Sequence, residues 1–244
     1  MTKKAVVWLR DDLRINDNPA LSNASNNHEV VSALYIFNEN EFSNKREAQK
    51  WWVYKSLENL KSELKKYNIN LEILNGDEFK ILTNIKTKDD ISIYSNKVYE
   101  PAQIDTELKL AKYFSKNEIN FSLFKGNILI EYHEVLKDDG TPFKVFTPFW
   151  KNAEQRYLEK VPGKPTKIKK LKKSDLLFKS TFKIDQILPK KNWYKKFEKY
   201  WKVSENDSKK ILNYLIENKI KDYGTSRDIP SIEGTSKLSP YIKH

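Results

Sequence analysis

Two alternating periodicities in the first half of the chain constrain its fold more than any other feature. Short runs rich in β-branched and aromatic residues, Ala5–Leu9, Val30–Phe37, Leu71–Leu74, Ile91–Tyr94 and Phe121–Phe124, read as strands. Longer segments with helical spacing lie between them. Asp17–Asn18–Pro19 predicts an N-cap followed by proline in the first turn. From Lys45 to Tyr67, the residues Val53, Leu57, Leu60, Leu64 and Tyr67 recur on one helical face. Asp77–Lys86 and Gln103–Glu118 are two more helix candidates. Strands separated by helices predict a five-stranded parallel α/β sheet, doubly wound with right-handed crossovers. Ligands of such sheets sit beyond the strand C-terminal ends, here the loops after Leu9, Phe37, Leu74 and Tyr94.

After Gly126 the alternation stops. Pro142, Pro148, Pro162, Pro165 and Pro189 punctuate a stretch that reads as an extended inter-domain connection. Ser204 then reads as an N-cap for a helix carrying Ile211, Leu212, Leu215 and Ile216, which ends near Gly224. One helix and a loop cannot enclose a core, so Ile211, Leu215 and Ile216 are expected to be partly exposed. The boundaries fall at 1–128 for the α/β domain, 129–202 for the connection and 203–244 for the start of a helical domain.

The formal net charge of +12 belongs to the connection. Between Lys160 and Lys202 there are 15 lysines against Asp175, Asp185 and Glu198, so this stretch alone carries +12 and the remainder balances. A localised basic stretch points to a polyanion, nucleic acid before membrane, although a solvated lysine-rich linker gives the same composition. The chain has no cysteine, which removes disulfides, thiolate zinc sites and a cysteine nucleophile. Its opening MTKKAVVWLRDDLR turns charged too soon for a secretion signal, and no apolar run approaches a membrane span. The expectation is a soluble cytoplasmic protein with no membrane partner.

Glycine-rich dinucleotide and P-loop fingerprints are absent, as is a GxSxG elbow. His28, His133 and His244 have no metal-ligand spacing, so no metal site is expected. Asp11 follows the first strand, within reach of a ligand, but the pair Asp11–Asp12 also suits a turn.

Four stretches in order resemble the DNA photolyase/cryptochrome family: VVWLRDDLRINDNPAL, NKVYEP at Asn96–Pro101, KVFTPFW at Lys144–Trp150 and YGTSRDIPSIEGTSKLSPY. The resemblance implies a Rossmann-like antenna domain followed by an all-α FAD-binding domain. It also implies a light-driven lyase reaction, in which reduced FAD donates an electron to split cyclobutane pyrimidine dimers in DNA. Such a lesion is flipped out of the duplex for repair. By the same resemblance, Tyr223 matches an aromatic flavin contact, and Thr235, Ser236, Lys237, Leu238 and Ser239 match the segment holding the FAD phosphates. Hydroxyls and free amides suit a pyrophosphate, and Gly234 allows close backbone approach. Read without the family, GTSKLSP is a helix cap with a lysine. Arg227 matches a DNA-facing position, while its local alternative is an ion pair with Asp228 or Glu233.

Relatives continue well past the position of His244, so the resemblance reads this chain as the first half of such a protein, truncated within its FAD domain. Catalytic residues and the photoreducing tryptophan chain are expected in the C-terminal remainder, which a separate polypeptide could supply. Trp193 and Trp201 are expected to pack at the domain boundary. Tyr99–Glu100 matches a pair near the antenna, where Gln103 stands in place of a carboxylate found in folate-binding relatives. Glu100 and Gln103 are therefore the antenna candidates, and folate, deazaflavin, flavin and no antenna chromophore at all remain open. Two other readings stand beside photolyase. One is a cryptochrome-like blue-light receptor, and the other is a stand-alone α/β module docking on nucleic acid.

Overall fold

In the computed structural model the described residues are 4–39, 47–85, 91–159, 166–173, 178, 180 and 182–243. Five parallel strands, β1 (Lys4–Leu9), β2 (Val30–Phe37), β3 (Asn70–Asn75), β4 (Ile91–Asn96) and β5 (Phe121–Phe124), form one sheet in the order β3-β2-β1-β4-β5. The strand order reverses between β1 and β4, which defines the switch point of a doubly wound sheet. Helices α1 (Pro19–Asn27), α2 (Glu47–Lys65), α3 (Glu78–Thr83) and α4 (Pro101–Lys116) make the crossovers.

Strand periodicity sorts β1 onto two cores. Val7 and Leu9 join Leu21, Leu57 and Leu64 on the α1/α2 face. Val6 and Trp8 join Leu82, Leu110 and Phe114 on the α3/α4 face. The expected local signals are present. Asn18 caps α1, its side chain accepting from Leu21 N, with Pro19 next in the chain. Asp77 caps α3 in the same way. The predicted ends of α2 at Lys45 and of α3 at Lys86 lie outside the described residues, as do residues 160–165, 174–177, 179 and 181 of the basic stretch and His244.

The connection has more structure than its composition suggests. It contains α5 (Phe146–Glu159) and two 3-10 helices, Ile184–Ile187 and Asn192–Lys199. Pro148 sits in the first turn of α5, where the missing amide costs nothing. The connection also returns to the sheet. Leu171 N donates to Tyr67 O at 3.0 Å, and Ser180 Oγ donates to Ile73 O at 2.7 Å. Leu171 and Ile187 are buried in the α1/α2 core.

Sequence periodicity exposed only one face of α2. A second face carries Trp51 and Trp52. Trp51 packs edge-on against Phe197 at 5.4 Å, and Trp52 against Trp201 at 5.5 Å and Tyr241 at 4.9 Å. Trp193 lies 5.0 Å from Phe197 and donates to Glu47 at 2.7 Å. Both connection tryptophans thus pack at the junction between the α/β unit and the helical segment.

Helix α6 (Glu205–Asn218) begins at the Ser204 cap, whose hydroxyl accepts from Asp207 N at 3.1 Å. It ends at Asn218, and a single 3-10 turn leads to α7 (Tyr223–Ser226). Ile211 is half-buried and Ile216 exposed, whereas Leu215 is buried. A short final helix, α8, spans Ser239–Lys243.

Candidate functional site

At the switch point the loop after β1 turns Arg10 inward. Its Nη2 donates to Ser95 Oγ at 3.0 Å, to Glu107 Oε1 at 2.5 Å and to the Asn96 carbonyl. The guanidinium also lies over the Trp8 ring at 4.2 Å. Glu107 Oε1 accepts a second bond from Val98 N at 3.2 Å. Beside this pair, Asp12 accepts from Arg10 N at 2.8 Å and from Asn96 Nδ2 at 2.6 Å. Asn96 Oδ1 in turn accepts from Ala20 N at 3.1 Å. A Cβ on Gly126 would fall 2.7 Å from Asn96 Cγ, so glycine is needed for the loop after β5 to close over the network. The crevice of the sheet is therefore filled by protein groups. The RDDLRINDNP motif builds that floor, and Asp12, not Asp11, is its buried acid.

Above the floor lie two hollows. The smaller, about 250 Å³, brings Glu100 and Gln103 together with Asp11, Arg14 and Tyr99. Sequence reasoning missed Lys243, whose Nζ lies 3.6 Å from Glu100 Oε1 and 3.5 Å from Asp11 Oδ2. The larger, about 440 Å³, runs between α2 and the helical segment and is lined by Trp52, Glu205 and Tyr241. The Glu205 carboxylate closes one wall by accepting from Ile15 N at 2.9 Å and Asn16 N at 3.1 Å.

Thr235, Ser236 and Lys237 border a third hollow of about 330 Å³, with Tyr200, Lys210 and Lys219. The segment is seated tightly: a Cβ on Gly234 would come 2.1 Å from Ser226 O. Here the close approach is to the chain's own backbone at the end of α7. Lys237 holds a left-handed backbone with φ of 56°. Its ammonium bonds Glu233 Oε1 at 2.9 Å and holds that exposed carboxyl below the usual range. Tyr223, Leu238 and Ser239 do not line the hollow. Tyr223 is half-buried on α7, with the Arg227 guanidinium 5.9 Å from its ring centre. Arg227 makes the local contact with Asp228 at 3.7 Å and remains exposed. The Thr235 and Ser236 hydroxyls and the nearby lysines form a donor set that fits a phosphate-bearing cofactor.

Among the described residues no group of His, Asp and Glu is placed to hold a metal, and no helix is long and apolar enough to cross a membrane.

A parallel five-stranded sheet with this order, continued by helices that carry a hydroxyl-rich segment, is the α/β-plus-helical class of protein. The DNA photolyase family model matches residues 5–167, and the chain belongs to that family. It is 32% identical to the deoxyribodipyrimidine photo-lyase of Agrobacterium fabrum, over 99% of this chain and 50% of that protein. Cryptochrome-2 of Arabidopsis thaliana is 27% identical, over 99% of this chain and 41% of its own length. The crystal structure of a class III photolyase from Agrobacterium tumefaciens superposes with a TM-score of 0.85 at 30% identity, covering 99% of this chain and 50% of that one. The chain thus spans about half the length of these relatives.

Proposed function

We propose that this chain is the antenna-domain and phosphate-holding portion of a light-driven, photolyase-type DNA repair flavoprotein acting on cyclobutane pyrimidine dimers. Residues 1–128 form the antenna domain, 129–202 the basic connection and 203–244 the start of the FAD-binding domain. The seating of Gly234 against Ser226 carries the reading, because it places the start of the Thr235–Ser239 segment against the helix that bears Tyr223 and ends at Arg227. In this reading Thr235, Ser236 and Ser239 donate hydroxyls to the FAD pyrophosphate, and Lys237 supplies charge. The Leu238 backbone lines the same segment, and Tyr223 packs on the cofactor. Bound FAD supplies the photochemistry. Arg227, exposed on the same element, pairs with a DNA phosphate. Glu100 and Gln103 hold an antenna chromophore by hydrogen bonds from the smaller hollow. The remaining helical residues of the active centre come from the same polypeptide or from a separate C-terminal half.

Calorimetric titration of FAD into the purified protein tests the segment. A Thr235→Ala/Ser236→Ala variant should bind FAD roughly tenfold or more weakly, the scale of bonds to a charged group. Unchanged affinity would overturn the assignment. The similarity to cryptochrome-2 supports a second reading, a blue-light receptor. Light-dependent association with a protein partner, without dimer loss, would favour it.

A further inference from the structure

We infer that Trp52 and Tyr241 are positioning residues for the Thr235–Ser239 segment: through their ring contact, the α/β domain holds that segment in the course it needs to meet a phosphate. This rests on the reading above and extends the flavin-holding unit to a helix of the α/β domain.

The segment is a strap clamped at both ends, with little to hold it between them. At its start Gly234 lies against Ser226 O, and Lys219 Nζ donates to the Glu233 carbonyl. Between the clamps Thr235 and Lys237 are exposed, and Lys237 holds its left-handed backbone. Among the described residues, the bond from Leu238 N to Ser236 Oγ at 3.4 Å is the one made by a main-chain amide of residues 235–239. At its far end the chain turns into α8. The Leu238 carbonyl accepts from Tyr241 N and Ile242 N, both at 3.0 Å, so a single helical turn ties the Tyr241 ring to the strap. That ring lies edge-on to Trp52, with centroids 4.9 Å apart and planes at 82°, and its hydroxyl donates to Lys202 O at 2.7 Å. Trp52 belongs to α2 and is itself fixed: it is buried, with Trp51 at 6.1 Å and Trp201 at 5.5 Å, both edge-on.

Charge offers α8 a second anchor, but a weaker one. Lys243 pairs with Asp11 and Glu100, yet Lys243 and Glu100 are each more than half exposed, where such pairs contribute little. An edge-on aromatic pair adds its ring geometry to the area it buries. The ring contact therefore decides where α8 sits. A helix of five residues has no stability of its own, so without that contact α8 and the strap before it lose their fixed course. Donors that must be ordered as a ligand arrives bind it more weakly than donors already in place.

Two readouts test this, one of them without flavin. Tryptic cleavage after Lys237, followed by mass spectrometry at a temperature where circular dichroism shows every variant folded, reports how often the strap opens. Tyr241→Ala should speed that cleavage by about fivefold, the scale of an aromatic pair. Tyr241→Phe keeps the ring on Trp52 and gives up only an exposed hydroxyl bond that water replaces, so it should stay within about twofold of the parent. Lys243→Gln should do the same. Trp52→Leu fills the buried site without an aromatic ring and should match Tyr241→Ala, and the double variant should be no faster than either single one. Calorimetric titration of FAD should follow the same order, with binding about fivefold weaker in Tyr241→Ala and Trp52→Leu and close to the parent in Tyr241→Phe and Lys243→Gln. Unchanged cleavage in Tyr241→Ala, an equal effect in Tyr241→Phe or Lys243→Gln, or additive effects in the double variant would overturn the inference. The FAD titration separates its failure from that of the flavin reading. If Thr235→Ala/Ser236→Ala weakens FAD binding and Tyr241→Ala does not, the inference falls and the flavin reading stands; if neither does, both fall.

Discussion

Replacing Glu107 by alanine removes the carboxylate that neutralises Arg10 in the floor of the sheet crevice. Both side chains are less than a tenth exposed, so water cannot take its place. The Arg10 guanidinium already has Nε and Nη1 without partners, and Nη2 carries the bonds to Glu107, Ser95 and Asn96. Breaking a buried pair by removing one member costs about 3–5 kcal/mol, a large part of the roughly 5–15 kcal/mol that holds a native protein together. At a urea slope of about 2 kcal/mol per M, the unfolding midpoint should fall by about 2 M. Glu107→Gln keeps an acceptor for Val98 N and should lose only about 1–3 kcal/mol. Arg10→Met/Glu107→Leu should be less damaging than Glu107→Ala, because no unpaired charge remains. Urea unfolding followed by far-UV circular dichroism and by tryptophan fluorescence measures all three, and coincident curves justify the free energies. A loss below about 1 kcal/mol for Glu107→Ala, or a double variant no more stable than that single one, would refute the reasoning.

Three further perturbations probe the rest of the molecule. Trp52→Ala empties the contact between α2, Trp201 and Tyr241 and should cost about 3–5 kcal/mol in the same unfolding assay. Gly234→Ala forces a Cβ against Ser226 O, so α7 or the 235–239 segment must shift. Limited proteolysis should cut this region faster, with stability lower by about 1–3 kcal/mol. Burial and the neighbouring Glu58 and Asp185 carboxylates raise the pKa of the Tyr54 hydroxyl, favouring the neutral phenol in the folded state. Its contribution should be complete below about pH 10, the unfolded value, and be lost as pH rises through the folded value. The urea midpoints of the parent and of Tyr54→Phe should therefore converge above about pH 10, and parallel curves would contradict this.

Elements governed by neighbouring residues were readable in advance. All five strands follow from β-branched runs, and the caps at Asn18, Asp77 and Ser204 follow from side chains that reach only three residues along the chain. The contacts that join these elements were not readable. Arg10 meets Glu107 across 97 positions and Asp12 meets Asn96 across 84, and no local periodicity encodes such pairs. Helix α5 escaped because Pro148 resembles a breaker unless its place in the first turn is known, and its apolar residues Phe146, Phe149 and Leu158 face outward. The pair Trp51–Trp52 lies off the stripe that faces the sheet, so its burial depends on a connection returning from over 140 residues away. In the candidate site, motif matching selected Glu100, Gln103 and the 235–239 segment, whereas Lys243 enters only through three-dimensional proximity to Glu100 and Asp11. The hollow also separates Thr235–Lys237 from Tyr223, a distinction that matched positions alone do not contain.

The central claim is most directly tested by joining this chain to the C-terminal helical remainder of the protein, loading the assembly with flavin, illuminating it with blue light in the presence of DNA carrying cyclobutane pyrimidine dimers, and measuring dimer content over time. The account predicts loss of dimers that requires both light and flavin and weakens in the Thr235→Ala/Ser236→Ala variant as flavin occupancy falls. Dimer content that stays constant at full flavin occupancy, or falls equally in the dark, would contradict it.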